Sequence, residues 1–188
     1  MTIEKEITVL GVIELNSIAV GIRVLDAMVK VAPVKIIDAR TICPGKYLIV
    51  FCGDVASAEY AFQEGLEQAG DYLVESLLLK QVHPECLSSL GNLKLITRLD
   101  SIGIIETLNV ATAIEAADVA AKESGVKILE VRLAIGFGGK SYVKMSGSLA
   151  DVQASMEAGV RLAEKNNALC AQSLISQPHN EIAPFFLK

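Results

Sequence analysis

The stretch GVIELNSIAVGIRVLDAMVKVAPVKIIDAR, residues 11–40, returns 92 positions later as GIIETLNVATAIEAADVAAKESGVKILEVR, residues 103–132. The identical pairs are Gly11/Gly103, Ile13/Ile105, Glu14/Glu106, Ala19/Ala111, Ile22/Ile114, Asp26/Asp118, Lys30/Lys122, Val34/Val126, Lys35/Lys127, Ile36/Ile128 and Arg40/Arg132. Composition alone would give roughly two or three matches over such a span. Further on, the spacing shifts to 94 and the matches continue at Gly45/Gly139, Lys46/Lys140, Gly53/Gly147, Ala56/Ala150 and Gly65/Gly159. Near the ends, SLLLKQVHPE (76–85) is echoed by SLISQPHNE (173–181). The chain is therefore two tandem copies of one domain, divided as residues 1–95 and 96–188.

Each copy reads as strand, helix, strand, strand, helix, strand. The opening strands are expected at about residues 5–15 and 99–107, followed by helices with apolar stripes. In copy one the stripe is Ile18, Ile22, Leu25, Val29 and Ala32; in copy two it is Val110, Ile114, Ala117 and Ala121. Pro33 and Gly125 end these helices. VKIIDAR and VKILEVR are rich in β-formers, as are YLIVFC and SYVKMS beyond the next loop. Asp54 and Ser148 are expected N-caps of second helices. Those helices carry Val55, Ala58, Phe62 and Leu66, and Leu149, Val152, Met156 and Val160. YLVESLLL and LCAQSLI close the copies, and residues 84–98 supply a short helix and linker. The fold class is α+β, with two ferredoxin-like split β-α-β-β-α-β domains.

Bulk properties narrow the function. The 188-residue chain is 52% hydrophobic and 21% charged, an apolar excess that contacts between subunits would bury. No stretch reaches the roughly 18 apolar residues of a membrane span, and the N-terminus carries no leader pattern, so a cytoplasmic protein is expected. A net charge of −5 argues against a nucleic-acid partner. Cys43, Cys52, Cys86 and Cys170 form no C-x-x-C pair, which leaves neither a disulfide framework nor a single-chain metal cluster.

The loop AIGFGGKSY (134–142) nearly spells a phosphate-binding loop, with Ala134 where the first glycine should be. Such a loop must lead into a helix whose N-terminus faces the phosphates. Here it leads into SYVKMSG, a strand pattern, and its counterpart is TICPGKYLIV. It is read as a turn between two strands.

With both copies laid out, the chain resembles bacterial microcompartment shell proteins with tandem shell domains. GVIEL…GIRVLDAMVKVAPVKI and GIIET…AIEAADVAAKESGVKI carry the likeness through the first strand, helix and second strand. GDVASAEYAFQEG and GSLADVQASMEAG carry it through the second helix. Each copy begins with the strand before its first helix, as in the unpermuted members. The Ile-Cys-Pro-Gly-Lys of Ile42 to Lys46 is similar to the pore loop of the iron–sulfur shell proteins of propanediol-utilising compartments. The family's Pro-Arg-Pro-His near the domain end is replaced by KQVHPE and SQPHNE.

The resemblance implies a structural protein that is not an enzyme, located in a cytoplasmic microcompartment shell. It implies a homotrimer that imitates a hexamer, in contact with other shell proteins and with a redox enzyme, encapsulated or cytosolic. Pore loops would be formed by Thr41, Ile42, Cys43, Pro44 and Gly45, alternating with Gly136, Phe137, Gly138 and Gly139. Cys43 of each chain would hold one [4Fe-4S] cluster on the threefold axis. Phe137 is either a pore-lining aromatic or a small core plug. Lys30 and Lys122, each four residues after an aspartate, would be edge residues between trimers; the residue pattern alone gives surface i,i+4 pairs. His83 and His179 lack any companion pattern of a catalytic site, while Cys86 and Cys170 read as packing residues. Two rival readings stand beside the cluster-bearing tile: a tile with an open metabolite pore, and a soluble ligand-binding or regulatory trimer.

Overall fold

In a computed structural model, the described residues are 9–96, 100–134, 136 and 138–187. The first copy comprises β1 (Val9–Leu15), α1 (Ile18–Val31), β2 (Lys35–Ile42), β3 (Lys46–Gly53), α2 (Val55–Ala69) and β4 (Leu73–Lys80). A short helix α3 (Pro84–Ser89) precedes the second copy. That copy is β5 (Ser101–Thr107), α4 (Val110–Glu123), β6 (Lys127–Arg132), β7 (Ser141–Gly147), α5 (Leu149–Lys165) and β8 (Leu169–Ile175), followed by α6 (Ala183–Phe186).

Both sheets are antiparallel, in the orders β2-β3-β1-β4 and β6-β7-β5-β8. This is the split β-α-β arrangement expected from the element order. Even the irregularities repeat. Register shifts fall at Ile36/Asp38 and Ile128/Glu130, and again at Glu14/Leu15 and Glu106/Thr107.

Helix starts follow side-chain chemistry. Asp54 and Ser148 cap α2 and α5, accepting from Ser57 N–H at 3.0 Å and Asp151 N–H at 3.2 Å. Ser17 and Asn109 do the same for α1 and α4. Each cap contributes about 1 kcal/mol. Two of the repeated glycines are packing requirements. A Cβ on Gly65 would lie 2.5 Å from Ile13, and one on Gly159 would lie 2.7 Å from Ile105. Helix α2 or α5 can approach the first strand of its sheet only because that carbon is missing.

The copy-one stripe needs correction. Helix α1 buries Gly21, Val24 and Met28 against the sheet, while Ile18, Ile22 and Val29 of the expected stripe are exposed. Gly21 fits there because its absent side chain leaves room for Tyr47. The copy-two stripe is buried as expected.

The compact units divide between Val82 and His83, so α3 folds with the second copy. Its Cys86 thiol donates to Ile114 O at 3.6 Å, and His83 N–H donates to Asp118 Oδ1 at 2.7 Å. The strap that follows runs along β6, with Gly91 N–H bonded to Val131 O and Lys94 N–H to Leu129 O. On the sheet face away from the helices, Phe186 packs with Ile102 and Leu129.

Candidate functional site: the β2–β3 hairpin and its counterpart

The β2–β3 ladder closes at Ile42 opposite Lys46, which leaves Cys43, Pro44 and Gly45 as the turn. Ile42 is buried and fixes the base of the turn, whereas Thr41, Cys43, Pro44 and Gly45 are exposed. The Cys43–Pro44 peptide is cis, and Gly45 takes φ +79°, a conformation open to glycine at little cost. Cys43 thus projects from a hairpin tip as a free, exposed thiol.

A buried charge pair anchors the same hairpin. Lys46 Nζ lies 2.6 Å from Oε1 of Glu14, a fully buried residue of β1. Glu14 Oε2 is buried with no hydrogen-bond partner among the described residues. Breaking such a pair leaves a buried charge uncompensated, so Lys46 is held where it is and the Cys43 turn with it.

The other thiols differ from Cys43. Cys52 and Cys86 are buried and Cys170 is half-buried. Burial pushes the Cys52 thiol up, and pushes Cys86 to about 12 with help from the Asp118 carboxylate. Neither forms a thiolate ligand readily. Among the described residues, no group of three or more His, Cys, Asp or Glu is placed to hold a metal ion. One chain offers one ready sulfur.

The counterpart hairpin joins β6 to β7. Gly136, Gly138 and Gly139 all have positive φ, as does Ala134. The segment enters a strand, β7, so the phosphate-loop geometry is absent. Phe137 lies outside the described residues, and the sequence places no cysteine in this loop.

At the base of this second hairpin is a polar cluster that the sequence reading missed. The buried Glu130 carboxylate accepts from Arg132 at 3.1 Å, Tyr142 Oη at 3.0 Å and Lys144 Nζ at 3.1 Å. Burial and the Glu130 charge push the Tyr142 hydroxyl to about 12. Lys144 also donates to Phe186 O at 3.0 Å and lies over the rings of Tyr142 and Phe186, fastening α6 to the sheet. The available signal was Tyr142 and Lys144 at alternate positions, where copy one has Leu48 and Val50.

The two edge lysines are not alike. Lys30 and Asp26 form an exposed pair at 2.5 Å. Lys122 reaches Asp118 at the same distance, but that carboxylate is buried and also accepts His83 N–H. His83 and His179 are capping groups, each with Nδ1 accepting a backbone N–H, from Glu85 at 3.2 Å and Glu181 at 3.3 Å.

Comparison with known proteins agrees with this architecture. The BMC domain family matches residues 9–82 and again residues 101–178. The bacterial microcompartment shell protein PduT of Citrobacter freundii is 38% identical over 173 residues, covering 92% of this chain and 94% of its own. The crystal structure of a microcompartment protein from Desulfitobacterium hafniense DCB superposes with a TM-score of 0.86 at 37% identity, covering 95% of this chain and 99% of that one. The shell protein EutM of Salmonella typhimurium is 31% identical over 88 residues, 47% of this chain but 90% of its own, as a relative of one copy should be. No described helix is long and apolar enough to cross a membrane. The chain belongs to the BMC-domain family, as a tandem-domain bacterial microcompartment shell protein of the PduT type, structural and not enzymatic.

Proposed function

We propose that three chains close into a ring of six domains in the shell, and that their three Cys43 thiolates hold one [4Fe-4S] cluster at the central pore. The carrying observation is the placement of the cysteines: the only exposed thiol is at a hairpin tip, and it recurs once per chain. A set of ligands that cannot be assembled within one chain can be assembled around a threefold axis.

The residues fit such a group in kind. Cys43 offers an accessible sulfur, Gly45 permits the tight backbone path, and the Glu14–Lys46 pair holds the base of the turn. The second hairpin contributes glycines and no sulfur, so the ring supplies three thiolates. A [4Fe-4S] cluster takes four ligands, which leaves one iron for water or an outside group. When bound, the cluster would supply one-electron chemistry for passage across the shell, or for delivery to a redox enzyme. Thr41, Ile42, Cys43, Pro44 and Gly45 would line the pore in alternation with the 136–139 loop. Lys30 and Lys122 would stand at the edges shared with other shell proteins.

Anaerobic reconstitution with iron and sulfide tests this reading. The trimer should show broad absorption near about 400 nm, the range of a thiolate-ligated cluster. Cys43→Ser should abolish it, while Cys52→Ser, Cys86→Ser and Cys170→Ser retain it. An intact trimer that binds no iron would leave a tile with an open metabolite pore.

A further inference from the structure

The hairpin that carries Cys43 and its counterpart in copy two share a glutamate and a lysine. Glu14 and Lys46 of copy one correspond to Glu106 and Lys140 of copy two. Only the first two form an ion pair. Lys46 Nζ reaches Glu14 Oε1, whereas Lys140 is exposed and, among the described residues, is not paired with Glu106. Copy two fixes its hairpin through the Glu130 carboxylate instead, so closing this hairpin does not by itself require the pair.

The neighbouring strand differs in the same sense. Glu75 of β4 lies directly opposite Glu14, where copy two sets Ala171 opposite Glu106. Directly opposed residues share one face of a sheet, so Glu75 stands beside the Glu14–Lys46 pair. Its Oε1 accepts Ser76 N–H at 3.1 Å. The base of the Cys43 hairpin thus holds two carboxylates for one ammonium. Glu14 is fully buried, and its Oε2 has no hydrogen-bond partner among the described residues. A carboxylate with one free oxygen, out of reach of water, keeps a field that solvent would otherwise screen. Lys46 is three residues from Cys43 across the turn, so these charges stand close to the sulfur.

We propose that Glu14, Lys46 and Glu75 set the reduction potential of the group held by Cys43. The two carboxylates disfavour an added electron, and the ammonium offsets part of their effect. Net charge around a cluster is one of the levers on its potential. Around a threefold axis each charge recurs three times, so small single effects add. The inference rests on the cluster reading, and its test distinguishes the failure of one from the failure of the other.

The test is a mediated redox titration of the reconstituted trimer, followed by absorption. It compares the parent, Glu14→Gln, Glu75→Gln and the double variant Glu14→Gln with Lys46→Met, with iron content and trimer size measured on the same samples. Glu14→Gln leaves the Lys46 charge without its partner and should raise the potential. At a fixed solution potential the reduced-to-oxidised ratio should shift by about tenfold, which is about 59 mV for one electron. Glu75→Gln should shift it in the same direction. The double variant removes both charges of the pair and should return towards the parent. A pair that only braced the turn would leave the double variant at least as far from the parent as Glu14→Gln, and that result overturns the proposal. If Glu14→Gln does not fold, Glu75→Gln decides, because Glu75 is half-buried and its replacement leaves the buried pair intact. An unshifted potential in either glutamine variant, with full iron content, overturns the charge assignment and leaves the cluster standing. A parent trimer that binds no iron overturns both.

Discussion

Helices α1 and α4 descend from one sequence pattern, yet they occupy different environments. Ten of the fourteen residues of α4 are buried, against three of the fourteen in α1. Both helices lie on an antiparallel sheet beside a second helix, so the sheet side does not distinguish them. The difference lies on the far side, where α4 receives α3 and the Ile18, Ile22 and Val29 side chains of α1 are exposed. An exposed apolar patch of this kind is a surface suited to contact with another molecule.

The sharpest break of that comparison is a charge placed at equivalent positions. Ile114→Asp puts a carboxylate into a fully buried site and should cost about 4 kcal/mol or more, unfolding the second copy. Ile22→Asp should change the stability of the isolated chain by less than about 0.5 kcal/mol. Urea denaturation measured below the association range checks both. Equal losses would mean that α1 and α4 have the same surroundings after all.

Where the copies are alike, substitutions should act alike. Gly65→Ala and Gly159→Ala each force a Cβ into a first-strand isoleucine at 2.5 Å and 2.7 Å. Each should cost about 1–3 kcal/mol, the range of overpacked cores. A large difference between the two midpoints would show that helix-to-sheet spacing is not shared.

The aspartate–lysine pairs give a smaller and again unequal effect. Asp118→Ala removes the acceptor of His83 N–H and the partner of Lys122, and should cost about 1–3 kcal/mol. Asp26→Ala removes an exposed pair worth only a few tenths of a kcal/mol. Thermal midpoints of the dissociated chain should drop for the first variant and hardly move for the second. Lys30→Asp should likewise spare folding, so that any loss of sheet assembly can be read as an edge effect.

Much of this was legible from residue spacing alone. The repeat announced tandem domains because identical packing problems, such as the Gly65 and Gly159 approaches, keep identical residues. The caps Asp54 and Ser148 and the closing strand at 169–175 lie where turn chemistry and alternation place them. The face of α1 was not legible. Helical periodicity reports that a stripe will be buried, not what buries it, and the bulky Ile18, Ile22 and Val29 outweigh the small Gly21 that meets the sheet. The Glu130 cluster escaped notice for a related reason. Its partners lie on two strands whose register is a tertiary fact, and copy one has Leu48 and Val50 there in place of Tyr142 and Lys144. The Cys43 hairpin was visible as a turn, but one chain holds only a single exposed thiol.

The smallest expected effect separates the copies by pH. The second unit holds two groups displaced upward, Cys86 from 9.0 to about 12 and Tyr142 from 10.0 to about 12, both mainly by burial. The Asp118 carboxylate reinforces the first shift and the Glu130 carboxylate the second. In each case the folded chain favours the neutral, protonated form. Between the unfolded and folded values, the unfolded state therefore binds fewer protons than the native state, and stability falls as pH rises. The contribution is fully present below pH 9 and is lost progressively from there towards about 12. The first unit has the upward-shifted Cys52, whose burial penalty is partly offset by the Lys35 charge. Urea midpoints should consequently decline above pH 9, and the decline should flatten in Cys86→Ala and in Tyr142→Phe. An alkaline limb unchanged by these two variants would place the titrating group elsewhere in the chain.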